Sequence, residues 1–435
     1  MALSNILSLV LLASACKAKQ TTAAGFPSAN QQCPHHPAGR LETAALLPVC
    51  PLPGHIGVLS DESSNAIAWD YPPKCISPPA KDNTTVPRID CLFTSTTFRN
   101  GHGISLVSST LTTSHIVGVG SFDDEAPPLG VQRRENLGPA YEIVPVEGKG
   151  LGVVAKRKIK RGEIVMSDYP SLLIGTGFLG TAQPHHRRRV LKQAINQLPD
   201  KLRSKVRVLS RGAEKYEVDA ILGPNANTVM IGEQDGEQMH VGLFAEAARI
   251  NHGCRPNVHS RFSERRLTME IMAHVAIEPG EEILMSYVPI TTVRDERRKY
   301  LKDHWGFDCK CQLCTGTKNE IEESEFYRRR QKSLKESIES ARAEGFFKDA
   351  IVMSGEWHEF SEWDMVPPLA PEYHDSLANL HYANGDLFNA TRYARMAYDG
   401  WVRFGSVDDE KLEHSRTVLA KIEKEFEKSL KFEKD

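Results

Sequence analysis

The chain has 435 residues, 40% of them hydrophobic and 25% charged, which excludes wholesale disorder and fibrous classes. At about 150 residues per domain this length predicts two or three domains. Its 54 Lys+Arg against 56 Asp+Glu give a net charge of −2, so no global polyelectrolyte effect operates and a charge-driven partner must be met by a local patch.

The first element is the apolar run Ile6–Ala15, ending in Ala13 and Ala15 before Cys16. Small residues at that spacing resemble a signal-peptidase site, so 1–15 is expected to be a signal peptide, although no Lys or Arg precedes the run. It is too short to span a bilayer, and no transmembrane anchor is expected. Residues 16–134 form a Pro-rich N-terminal region, with 11 of the 25 prolines between Pro27 and Pro87. Cys33, Cys50, Cys75 and Cys91 lie there and suggest two disulfides, with three connectivities open. Asn83 and Asn389 each begin a glycosylation sequon. The β-branched stretch 101–119 predicts one or two strands, and the acidic, Pro-rich run from Asp123 predicts a linker, with a boundary near 135.

Tyr141–Val146 predicts a strand, and glycines 148, 150 and 152 follow it. That cluster permits positive φ or close approach of a ligand, and hairpin turns also produce it. Ile159-Lys160-Arg161-Gly162-Glu163-Ile164-Val165 is a turn leading into a strand. A similar phrase recurs at Ile277-Glu278-Pro279-Gly280-Glu281-Glu282-Ile283-Leu284. The repeat predicts one sheet system interrupted by an insert, about 176–238. Within it, His185–Arg211 holds nine Lys/Arg and one acid, a local excess of +8. Val190, Leu191, Ala194, Ile195 and Leu198 keep a helical period. This basic helix is either a solvated face or a docking surface for an acidic or nucleic-acid partner.

Cys309, Cys311 and Cys314 place three thiols within six residues. Such crowding suits zinc, which takes four thiolates tetrahedrally in a structural site. Three do not close one, and the sole cysteine outside the N-terminal group and this trio is Cys254. A structural zinc on Cys254, Cys309, Cys311 and Cys314 is therefore expected.

Gly150-Leu151-Gly152, Asn251-His252-x-Cys254-x-Pro256-Asn257, Glu282-x3-Ser286-Tyr287 and the C-x-C-x2-C tail together resemble a SET-domain lysine methyltransferase with its post-SET zinc motif. The similarity is closest to SET–MYND (SMYD) and fungal SET proteins. It implies an α+β fold: a SET β-fold of small β-sheets with a pseudo-knot over 135–290, a helical insert, and a post-SET zinc segment over 291–318. It also implies S-adenosylmethionine as cofactor, a protein lysine as substrate, and a nuclear or cytoplasmic site, against the secretory leader. A monomer is expected. By resemblance, Lys149, Gly150, Leu151, Gly152, Asn251, His252, Tyr287 and Phe307 contact the cofactor. Tyr287 is the catalytic tyrosine, and Trp305 and Phe307 wall the lysine channel. Two departures stand out: no cysteine lies between 92 and 253, so the MYND finger is absent, and Trp305 occupies a place where the family usually has tyrosine. Residues 319–435 predict a helical, tetratricopeptide-like region, with small residues crossing tightly about Asn384-Gly385-Asp386. The rival expectation is a non-catalytic SET scaffold that binds acidic partners; a secreted disulfide protein explains only the leader.

Overall fold

The computed structural model describes residues 69–76, 89–118, 121–122, 138–231, 239–363, 370–405 and 410–432. The expected signal peptide, Cys33, Cys50 and the Asn83 sequon lie outside the described residues. The chain divides into two compact units. One comprises 1–126, 169–245 and 264–266; the other comprises 127–168, 246–263 and 267–435.

In chain order the strands β1 (Lys74–Ile76), β2 (Asp90–Ser95) and β3 (Ile104–Ser109) precede helix α1 (Thr110–Gly118). Next come β4 (Tyr141–Val146), β5 (Gly150–Ala155), β6 (Ile164–Asp168) and β7 (Pro170–Gly175). Helices α2 (Thr176–Thr181), α3 (Pro184–Gln197), α4 (Asp200–Arg207) and α5 (Glu217–Asn225) form the insert, closed by β8 (Ala226–Met230) and β9 (Met239–Phe244). The strands β10 (Asn251–His252), β11 (Val258–Ser263), β12 (Thr268–Ala273) and β13 (Glu282–Met285) follow. The rest is helical: α6 (Arg294–Trp305), the single turn α7 (Gln312–Thr315), α8 (Lys318–Ala343), α9 (Phe347–Trp363), α10 (Ala370–Ala383), α11 (Leu387–Phe404) and α12 (Glu410–Phe432).

The first unit is built on a six-stranded sheet in the order β1-β2-β3-β7-β9-β8. Only the β3–β7 pairing is parallel. β7 is buried along its whole length, as a central strand covered on both faces requires. Helix α3 buries Val190, Leu191, Ala194 and Ile195, the residues that its periodicity marks as apolar. Ser105 Oγ donates to the Ala194 carbonyl at 3.0 Å, joining this helix to β3. Cys75 and Cys91 are direct cross-strand partners and form a disulfide. The expectation of strands through 101–119 holds only to Ser109. Beyond it the hydroxyls compete for the backbone: Ser109 Oγ accepts the Thr112 N–H at 3.1 Å, and Thr113 and Ser114 hydroxyls donate to carbonyls four residues back. That local bonding starts a helix where side-chain shape alone favours a strand.

In the second unit two small sheets, β10-β13-β5-β4 and β11-β12-β6, carry the repeated phrase. The two copies meet at equivalent positions, where Ile159 and Ile277 exchange backbone hydrogen bonds at 2.9 and 3.0 Å. Gly162 and Gly280 hold φ of 82° and 86° in the two turns. Pro145 sits on β4, an edge strand, where a missing N–H is tolerated. In the helical part each long helix packs on the next. Ala378, Ala390, Ala394 and Ala397 are buried about the α10–α11 crossing. A Cβ at Gly400 would lie 2.7 Å from Pro371 Cγ, so glycine is needed for that approach. Thr391 of the Asn389 sequon is buried with its hydroxyl bonded to the Leu387 carbonyl.

Candidate functional site

Helix α6 ends at Trp305 because Gly306 takes φ 75° and donates its N–H to the Lys302 carbonyl. The chain then turns through Phe307 to Cys314, and Cys311 O accepts N–H groups from Cys314 and Thr315 at 2.8 and 3.0 Å. Cys254, immediately beyond β10, completes a set of four sulfurs that all lie within 4.8 Å of one another. Cys254 Sγ is 3.7 Å from Cys309 Sγ and 3.6 Å from Cys314 Sγ. Tetrahedral zinc with Zn–S bonds near 2.3 Å sets its sulfurs about 3.8 Å apart, so the donors fit that ion. Four protein ligands leave no open position, which marks a structural site. Hydrogen bonds from the Cys254, Cys309 and Cys314 thiols hold Cys311 far below the usual thiol range, while the same network, led by Cys309, pushes Cys254 up. The backbone around the sulfurs is itself held. Arg328 Nη2 donates to Cys254 O at 3.0 Å, and Arg294 donates twice to Cys314 O, at 2.9 and 2.8 Å.

The glycine cluster forms the β4–β5 hairpin turn, with Gly148 and Gly150 at φ 72° and 77°. A side chain added at Gly150 would meet nothing within 4 Å. Next to it Leu151 stands 42% exposed. Open space at the Gly150 Cβ position beside an exposed apolar side chain leaves room for a ligand with an apolar face, which fits the cofactor that the resemblance implies. Gly152 has a different reason to be glycine: a Cβ there would lie 2.7 Å from Asn251 Nδ2 and 2.6 Å from Val146 Cγ2. Asn251 Nδ2 donates to Leu151 O at 3.3 Å and to Glu282 Oε1 at 2.9 Å. Lys149 Nζ meets the other oxygen of Glu282 at 2.5 Å. Glu282 thus ties both sides of the edge together. It belongs to the Glu282-x3-Ser286-Tyr287 motif, yet its position in a strand gives no sign of this bridging part.

β10 runs parallel to β13 and is pinned there by Asn257, whose side chain donates to Glu282 O and accepts from Leu284 N. This brings His252 under Tyr287. The Tyr287 N–H donates to His252 Nδ1 at 3.1 Å, so Nε2 carries the proton and faces Cys254 Sγ at 3.2 Å. Both ring nitrogens of His252 are therefore engaged inside the protein, and only its backbone remains for a ligand. Burial pushes His252 down to about 4, so the ring is neutral. Tyr287 Oη donates to Ile250 O at 2.7 Å. Burial, with Glu282 adding to it, pushes the phenol well above its usual range, so it stays protonated. Trp305 lies 5.1 Å from Tyr287 between ring centroids, and Phe307 lies 6.1 Å from His252. Tyr287, Trp305, Phe307 and the four cysteines share one packed cluster.

The basic helix of the insert is less free than its composition suggests. Arg188 pairs with Asp219 at 2.9 Å and stacks over Tyr216, and Arg187 donates to Leu179 O. Arg203 and Arg211 also bond within the insert. Arg189, Lys192 and Lys201 are exposed.

Comparison with known proteins bears on a stretch of chain that contributes to both units. Residues 150–288 match the family profile described as the SET domain. That segment, about a third of the chain, is similar to a SET domain. The histone-lysine N-methyltransferase set5 of Schizosaccharomyces pombe is 31% identical over 194 residues, 44% of this chain and 55% of that protein. Human SMYD1, named a histone-lysine N-methyltransferase, is 28% identical over 163 residues, covering 32% of this chain and 33% of its own. Human SMYD2, an N-lysine methyltransferase, is 36% identical over 84 residues, 19% of each. The match thus spans about half of the first relative's length and a third or less of the others'. The SET segment is related to the SMYD and Set5 methyltransferases, as the four motifs imply, and it sits in a mixed α+β fold of small sheets with a helical C-terminal part. Among the described residues no helix is long and apolar enough to cross a membrane.

Proposed function

We propose that this chain is an S-adenosylmethionine-dependent protein-lysine N-methyltransferase. The observation that carries the reading is the setting of Tyr287: a half-buried neutral phenol whose proton is committed to the Ile250 carbonyl, one residue from the Asn251–Leu151 bridge beside the glycine turn. When bound, S-adenosylmethionine supplies an electrophilic sulfonium methyl group. Lys149, Gly150, Leu151, Asn251, the His252 backbone and Phe307 would hold it. With its hydrogen donated away, the Tyr287 oxygen presents lone pairs, which orient a methyl group or a lysine amine. Trp305 and Phe307 supply an apolar wall. An amine there is kept neutral by desolvation, and only the neutral form attacks. Alignment of that kind lowers a barrier by about 7–11 kcal/mol.

The organisation that goes with this reading is a SET segment over 135–290, a zinc-closed post-SET segment over 291–318, and a tetratricopeptide-like region from 319. An acidic or nucleic-acid partner would be met by Arg189, Lys192 and Lys201, the exposed remainder of the basic insert.

The test is methyl transfer from labelled cofactor to a protein array by the full chain. Tyr287→Phe is expected to lower turnover by about 100-fold or more, while cofactor affinity measured by calorimetry stays within a few-fold, because the hydroxyl acts in the transition state. Equal loss of both defeats the role given to Tyr287, and intact cofactor binding without any transfer favours the scaffold. Trp305→Tyr should broaden the product from mono-methyl towards higher states, read by mass spectrometry. Tri-methyl product from the unchanged chain would reject that expectation.

A further inference from the structure

Two of the largest fully buried side chains in the described residues are arginines, Arg297 on α6 and Arg328 on α8, each 1% exposed. A buried guanidinium is costly unless an anion meets it. Arg297 Nη1 donates to Thr292 O at 2.6 Å. Its Nε and Nη2 reach no hydrogen-bond partner among the described residues, and Cys254 and Cys314 are close enough to act on its charge. Arg328 donates to Ser324 Oγ and to the Cys254 carbonyl. An arginine guanidinium stays charged even when buried.

Four thiolates around a divalent zinc leave two negative charges in a buried place. We propose that Arg297 and Arg328 are the counter-charges of the four-cysteine centre, so that the first turns of α8 belong to the metal site as much as the post-SET turn does. This rests on the zinc reading, not on methyl transfer. Two further charges lie among the inner groups, while Arg255 and Lys310, beside the ligands in sequence, are exposed. Arg294 joins the cations, and Glu325, which accepts the Arg294 N–H at 2.8 Å and lies 3.7 Å from Arg297, offsets it. Exposed Asp295 beside Arg294 and exposed Arg329 beside Glu325 offset each other at the rim. Three inner guanidiniums and one carboxylate would by themselves leave an excess of two positive charges, the complement of the centre.

Zinc affinity of the folded full chain, measured by competition with a chromophoric chelator, tests this. Arg297→Met and Arg328→Met are each expected to weaken zinc binding by about 10–100-fold, the usual effect of removing a partner of the ligands. Arg297→Lys and Arg328→Lys keep the charge and should lose a few-fold at most. Arg330→Met, which removes a half-exposed arginine of α8 paired with Glu356, should change nothing. Unchanged affinity in folded methionine variants overturns the proposal even where melting temperature falls, since packing alone lowers a melt without touching the metal. If a methionine variant does not fold, its lysine counterpart decides: a loss as deep as 10–100-fold overturns the charge role. Absence of zinc from the unchanged chain would instead remove the metal reading beneath it.

Discussion

Two groups of cysteines in this molecule are each drawn together and have opposite chemistry. Cys75 and Cys91 face each other across neighbouring antiparallel strands and are joined as a disulfide. Cys254, Cys309, Cys311 and Cys314 are packed within 4.8 Å and form no disulfide. Proximity alone does not separate them. The first pair meets as two cross-strand partners on one sheet, an arrangement that leaves a covalent bond as the way to join them. The other four converge on a point from two segments of chain, with buried guanidiniums on the outside. Four donors around a centre suit an ion, and the positive shell suits the charge that the filled centre carries.

The deepest break in that comparison is removal of the ion. Structural zinc sites contribute about 10–16 kcal/mol of apparent binding energy, and that energy is folding energy. Chelation, or Cys254→Ser, should therefore disorder the 305–314 segment and carry Trp305 and Phe307 away from Tyr287 and His252. Hydrogen exchange over that segment, with metal analysis giving one zinc per chain beforehand, checks it; protection that survives metal loss would show the cluster to be ordinary packing. Reducing the Cys75–Cys91 bond is a smaller break. It closes a separation of 16 residues, worth about 3 kcal/mol through the unfolded chain. Denaturant unfolding of Cys91→Ser should show that loss while zinc content and methyl transfer stay at their unaltered level.

Acid gives the finest distinction. A disulfide does not titrate, whereas the second unit buries neutral histidines. Burial pushes His259 down to about 3 and His374 to about 4. Their stabilising contribution is complete above pH 6.5, where the unfolded chain's histidines are also neutral. It is lost as pH falls through 6.5 towards those lower values, by up to about 2 kcal/mol for each group at pH 5. Replacing His374 with Gln should flatten that slope in the second unit's melt; an unchanged slope would mean that other groups set it.

The gathering of the four cysteines was legible because soft ligands are rare and their spacing is restrictive, and the strand–turn–strand repeat was legible because one phrase occurs twice. Tyr287 followed from its motif and not from periodicity. What stayed hidden is long-range. Nothing in Glu282 announces that it will bridge Lys149 and Asn251, because each of those bonds spans at least 31 residues. Arg297 and Arg328 look like two more cations in charged helices until burial is seen. The helix at 110–118 was missed for a local reason, since β-branched threonines and serines suggest a strand unless their hydroxyls are tracked to backbone partners.

The parallel pairing of β3 with β7 has a consequence for how the protein is made. β3 ends at Ser109 and β7 begins at Pro170, about 60 residues later. On a ribosome adding about 5–20 residues per second, β1, β2 and β3 wait several seconds with one edge uncovered. An uncovered strand edge is a template for other chains. Closing the Cys75–Cys91 bond during that interval would hold the waiting strands in register. A fragment begun at residue 135 meets the mirror image of the problem: it keeps β7, a strand buried along its whole length, and discards the three strands beside it. Such a fragment is a different and stickier object than the SET domain with less attached.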